Sequence, residues 1–119
     1  MENTQAVAAL AALAQEHRLA VFRLLVQAGP AGMPAGQVAD ALDLAPNTLT
    51  FHFDRLRMAG LVTVRREGRS MIYSARFDAM NAVLGYLTEN CCQGRPEQCT
   101  PARAKGSKSA PTRQKERAS

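Results

Sequence analysis

Two short helical patterns joined by Asp43-Leu44-Ala45-Pro46, followed at once by two strand-like segments on either side of Glu67-Gly68-Arg69-Ser70, predict a mainly α-helical chain with a β-hairpin wing, a winged helix-turn-helix. Charge placement supports the same reading. Residues 51 to 76 hold six of the nine arginines that precede residue 100, against only Asp54 and Glu67. Phosphate contact requires clustered positive charge of this kind, so the segment points to DNA.

Each element has its own signal. Asn3 to Ala14 is rich in Ala and Leu, and Asn3 or Thr4 can cap it as a helix. From His17 to Ala28 the residues Leu19, Phe22, Leu25 and Val26 repeat an apolar helical spacing, which Gly29-Pro30 and Gly32 stop. The segment GQVADAL reads as a short helix with Val38, Ala39 and Leu42 inward. Pro46 suits the first position of the next helix, NTLTFHFDRLRMAG, and Gly60 suits its C-terminal stop. Leu61 to Arg66 and Met71 to Arg76 are β-branched or alternating, with the turn between them. Phe77 to Glu89 closes the series as an amphipathic helix with Met80, Val83, Leu84 and Leu87 on one face. The outer helices, Thr4 to Ala14 and Phe77 to Glu89, carry apolar faces that a domain this small cannot cover alone, which predicts a homodimer.

At 119 residues and 12.9 kDa the chain has room for one domain. Residues 1–99 are expected to form the DNA-binding and dimerisation domain, and they sum to zero charge. The net +5 comes from residues 100–119, which lack aromatics and large aliphatics and are expected to be a disordered basic tail. There is no long apolar run and no signal-peptide pattern, so a cytoplasmic protein without a membrane partner is expected.

The runs RLAVFRLL, QVADALDLAPNTLTFHFDRLRMAGLV and RREGRSMIYSA resemble the ArsR/SmtB repressors over about residues 15 to 90. The LRMAGLV and RREGR pieces carry most of that likeness, because they fall at the right separation across a helix end. The resemblance implies a dimer that binds an inverted repeat in double-stranded DNA and lets go when an effector binds. No further protein partner and no resident cofactor are implied.

On a helical wheel Leu49, Phe53 and Leu56 share the core face of the second helix of the motif. The N-terminal part of that helix meets base edges in such proteins, so Asn47, Thr48, Thr50 and Phe51 are the candidate readers, with Arg55 on the flank. Asn can bond adenine, and an exposed Phe can lie against a thymine methyl. Thr48 and Thr50 could equally bond only phosphates. Arg65, Arg66 and Arg69 of the wing are assigned to phosphates or the minor groove. His52 matches the family's histidine at this point but falls toward the core, where packing or one buried hydrogen bond is the expected role.

The three cysteines all lie in ENCCQGRPEQC, at Cys91, Cys92 and Cys99. In a reducing compartment an odd set of thiols is read as ligands or sensors before disulfides. Three thiolates without a histidine nearby favour soft ions, and a pyramidal trivalent arsenic or antimony centre suits three sulfurs better than zinc, which usually takes four ligands. Other effector sites known in the family are missing: the cysteine positions of its arsenic and lead sensors are here Pro34, Gly36 and Ala39, and Met80 stands where a zinc-type member would place histidine after Asp78. Repressors with cysteines after the last helix are known in the family as arsenite sensors, and LTENCC with its third cysteine looks like that branch. The effector expected is therefore arsenite, or antimonite, bound by Cys91, Cys92 and Cys99. A thiol-based redox sensor of the same fold is the competing reading, and a metalloid buffer a further one. An enzyme is not expected, because a thiol reductase would place its nucleophile in an anion-binding loop at a helix N-terminus, whereas these cysteines follow a helix.

Overall fold

The computed structural model describes residues 1 to 95, which fall into two units, one from Met1 to Tyr86 and a second that begins at Leu87. In chain order α1 (Asn3–Leu13) and α2 (Glu16–Ala28) are followed by a two-residue strand β1 (Met33–Pro34), α3 (Ala35–Leu42), α4 (Pro46–Met58), β2 (Val62–Glu67), β3 (Ser70–Ala75) and α5 (Phe77–Leu87), all in the first unit except the last residue of α5. The winged helix-turn-helix expected from the sequence is thus present.

Helix ends follow local chemistry. The start of α1 is capped one residue earlier than expected: Glu2 is the N-cap, and its N–H donates to Gln5 Oε1 at 3.0 Å. Gln15 caps α2 by accepting from the Arg18 N–H at 3.0 Å. The tight turn of the motif begins at Asp43, which adopts φ 54°, while the Leu44 N–H returns to the Ala39 carbonyl at 3.0 Å. Aspartate tolerates this left-handed conformation better than most residues, so no glycine is needed there. At the far end of α4 Gly60 takes φ +78° and the Leu61 N–H bonds the Leu56 carbonyl at 3.0 Å, closing the helix and sending the chain into the wing.

The wing is a hairpin in which Val62 pairs with Ala75 and Glu67 with Ser70. Only Gly68 and Arg69 are left in the loop, and Gly68 at φ +62° has the sign a two-residue II′ turn requires at its first position. The sequence gives no strand signal for β1, yet Met33 and Pro34 pair antiparallel with Tyr73 and Ile72, so the sheet has three strands in the order β1-β3-β2. A two-residue strand has no periodicity to read. Its approach is allowed by Gly32, at φ +76°, where an added Cβ would collide with the Tyr73 carbonyl and the Ser74 hydroxyl.

The core lies between the helices and the root of the wing, with Val21, Leu25, Val38, Phe53, Leu56, Leu61 and Val62 fully buried. Within α2 the inward set is Val21, Phe22 and Leu25, and Leu19, expected inward, is 45% exposed. In α5 Val83 is buried, while Leu84 is 53% exposed. Exposed apolar residues also stand on α1, at Val7 and Leu10.

Candidate nucleic-acid interface

The reading helix α4 is fixed from its inner face. Leu49, Phe53 and Leu56 are buried as the wheel requires, and the Phe53 ring stacks on Tyr73 of β3 with centroids 3.6 Å apart and planes 4° from parallel. This stack packs the inner face of the helix directly against the wing. Burial, and next the Asp54 carboxylate, push the Tyr73 phenol above its ordinary pKa, with Arg57 opposing, so the ring sits neutral in this packing.

Every proposed reader is on the outer face. Asn47, Thr48 and Thr50 are exposed in the first two turns of α4, where bases are met in this motif. The Thr50 hydroxyl donates to the Pro46 carbonyl at 3.0 Å, which holds its rotamer and leaves oxygen lone pairs to accept. Phe51 is 49% exposed, and the Arg55 guanidinium lies 4.9 Å above its ring. The pair therefore presents a cationic group braced on an aromatic face. Further along the same helix Asp54 and Arg57 form an exposed ion pair at 3.6 Å, of the kind that contributes little stability.

The three wing arginines differ in their commitments. Arg65 bonds Glu67 at 2.7 Å and the Ala31 carbonyl at 2.8 Å, so much of its donor set is spent on bracing the wing against the loop before β1. Arg66 donates Nε to the Gly68 carbonyl at 3.1 Å. Arg69 occupies the tip of the hairpin, next to Gly68, where a side chain reaches furthest from the core. Hence Arg66 and Arg69 are better placed than Arg65 for phosphate contact.

His52 lies toward the core as expected, but its meeting with a second histidine has no sequence signal. His52, 6% exposed on the inner flank of α4, meets His17 of α2 with ring centroids 5.4 Å apart, and Phe51 edge-on at 5.5 Å. Its Nδ1 is buried with no hydrogen-bond partner among the described residues. Burial above all, and then the positive Arg18 and His17, lower its pKa below the ordinary 6.5. A histidine lowered in this way is neutral in the fold but takes up a proton when unfolded, so stability falls as pH drops through 6.5 toward the lowered value. We expect the urea midpoint at fixed protein concentration to fall between pH 7.5 and 5.5, and His52→Leu to flatten that slope. An identical slope in the variant would assign the acid sensitivity to other groups.

At the start of α5 Asp78 is held by Arg76 at 2.9 Å, and that hydrogen bond keeps its carboxyl below the usual range. The position matching a zinc-type ligand is thus engaged in a salt bridge.

In the second unit Cys91 and Cys92 lie on a single turn, Cys91–Gly94, that starts from a left-handed Asn90. Their Sγ atoms are 3.6 Å apart and both residues are half-buried. The backbone is left-handed at Cys92 and Gln93 as well as at Gly94. Cys99 and the tail lie outside the described residues.

Comparison with known proteins agrees with this geometry. A family described as "Helix-turn-helix domain" matches residues 13–65. The chain is 35% identical over 77 residues to the HTH-type transcriptional regulator YceK of Bacillus subtilis (strain 168), spanning 64% of this chain and 76% of that protein. A solved structure described as the ArsR family transcriptional regulator RHA00566 superposes with a TM-score of 0.65 at 25% identity, covering 84% of this chain and 98% of that one. The fold also matches a winged helix-turn-helix domain from Mycobacterium bovis, described as homodimeric, with a TM-score of 0.59 at 24% identity over 77% of this chain and 85% of that one. With a reading helix whose inner face is stacked on the wing, and with these relatives, the chain belongs to the ArsR/SmtB-like winged-helix family of helix-turn-helix transcriptional regulators.

Proposed function

We propose that this regulator is a homodimeric repressor that binds an inverted repeat in double-stranded DNA and releases it when trivalent arsenic or antimony binds Cys91, Cys92 and Cys99. The observation that carries the effector assignment is the 3.6 Å separation of the Cys91 and Cys92 sulfurs, close enough for one soft atom to bridge both, with Cys99 seven residues further along to supply a third thiolate. Dimerisation is supported by the exposed Val7 and Leu10 of α1 and Leu84 of α5, and by the homodimeric state described for the Mycobacterium bovis domain. No resident cofactor is needed for this cycle, and no helix among the described residues is long and apolar enough to cross a membrane.

The test is a fluorescence-anisotropy titration of the protein off a labelled fragment of its own promoter, under reductant. Arsenite and antimonite should release the DNA, and zinc should be a poor inducer. Release by peroxide but not by arsenite would make the thiol pair a redox sensor.

The DNA surface is tested separately. Asn47→Ala and Thr50→Ala should each cost about 1 to 3 kcal/mol and relax the choice of base at particular positions. Arg66→Ala and Arg69→Ala should instead weaken related sites alike and reduce the salt dependence. Helix variants that behave like the wing variants in a panel of base-substituted sites would show that α4 contacts only the backbone.

A further inference from the structure

On the flank of α4 away from the wing, a groove of about 470 Å³ runs between α1, α2 and α4. Its apolar wall includes Ala11 and Ala12 of α1, the Phe51 ring and Met58, which is 76% exposed. Two guanidiniums, Arg18 and Arg55, line the same groove. Neither forms an ion pair with a carboxylate among the described residues. Arg18 Nε donates to the Ala12 carbonyl at 2.6 Å, which anchors the side chain and leaves its terminal N–H groups to bind elsewhere. Arg55 is braced over Phe51. The volume is in the range of about 300 to 1,000 Å³ in which small-molecule sites fall.

We propose that this groove binds a free amphiphilic carboxylate, a medium-chain acyl anion whose head is held by Arg18 and Arg55 and whose chain lies on the α1 alanines and Met58. Charge complementarity selects the head group, because the two arginines of the lining favour a carboxylate with charge-assisted hydrogen bonds. The wall selects the tail: an inorganic anion makes no use of it, and a neutral hydrocarbon makes no use of the arginines. Phe51 and Arg55 also belong to the DNA-reading helix, so an occupied groove removes both from nucleic acid, and ligand and DNA compete. No cysteine is among the residues that line the groove, and its binding arm stands whether or not the thiols sense arsenic.

The experiment uses the full chain under reductant, titrated with sodium hexanoate, octanoate and decanoate below their micelle concentrations and followed by amide chemical shifts. We expect saturable shifts in α1 and α4, with affinity rising about two- to fourfold per methylene, the upper figure being that for a fully buried CH₂. Decanol and decyltrimethylammonium should bind at least about tenfold more weakly, since they lose the charge-assisted contacts. Ala11→Glu places a like charge in the groove from an exposed helical position and should abolish decanoate binding, and Arg18→Gln should weaken it. If Arg18→Gln loosens the α1–α2 junction, Ala11→Glu still decides. Decanoate should also lower the affinity for labelled DNA in the parent protein and not in Ala11→Glu. Equal binding of the alcohol, no dependence on chain length, undiminished binding to Ala11→Glu, unaltered DNA affinity at saturating decanoate, or binding to phosphatidylglycerol vesicles without binding of decanoate would each overturn the proposal.

Discussion

Replacing Cys91, Cys92 or Cys99 with serine should leave operator affinity at the parent value and abolish or blunt release by arsenite and antimonite. Serine keeps the size of the side chain but is not a soft ligand, so each change removes one leg of a three-coordinate site. The proposed release is a population shift: the metalloid must bind one arrangement of the dimer better than the DNA-bound one, with a coupling typically of about 1 to 3 kcal/mol. The turn that carries Cys91 and Cys92 holds non-glycine residues at φ 53° and 60°, conformations that cost L-residues about 1 to 2 kcal/mol each. A segment of that kind is a natural place for a ligand to select a different arrangement. A variant retaining two cysteines should keep part of its response to monosubstituted trivalent arsenicals, which offer only two positions to thiols. Arsenite release of the triple-serine variant at the parent concentration would place the sensor elsewhere.

Phe53→Ala should be the most damaging single change in the described part of the chain. Its ring is 1% exposed and stacked on Tyr73, so truncation removes buried area, leaves a cavity and breaks the link from the reading helix to the wing. Losses of about 3 to 5 kcal/mol are typical for such a change, with about 0.5 to 1.5 kcal/mol of aromatic pairing within it. Against a total stability of roughly 5 to 15 kcal/mol this is a large share. Thermal unfolding at fixed protein concentration should show the midpoint lowered by more than about 10 °C. Phe53→Leu, which refills most of the space, should lose less stability and yet weaken DNA binding, because the wing is no longer held flat against the helix. A Phe53→Ala protein that melts within about 2 °C of the parent would mean that the stack does not organise the site.

Much of this molecule is legible in its residues because the signals are local. Helical spacing placed Leu49, Phe53 and Leu56 in the core and Asn47, Thr48 and Thr50 on the surface; Pro46 and Gly60 bounded the reading helix; Glu-Gly-Arg-Ser turned the wing. Each of these depends on residues within a turn or two of one another, where backbone geometry alone sets which side chains share a face. The same local rule misjudged Leu19, because which edge of an amphipathic stripe is covered depends on the neighbour that packs there, and α2 turns Val21 rather than Leu19 to its neighbours.

What tertiary structure decided involves residues far apart in sequence. Met33 and Pro34 become a strand only because Gly32 lets them reach Tyr73 and Ile72. Arg65 is engaged with Ala31, thirty-four residues away, and His52 is buried against His17. Ala11, Arg18 and Arg55, from three different helices, share one groove. No periodicity or motif encodes such meetings. They arise when apolar faces pack and carry along whatever polar groups lie on their flanks, so their chemistry follows from where the core closes.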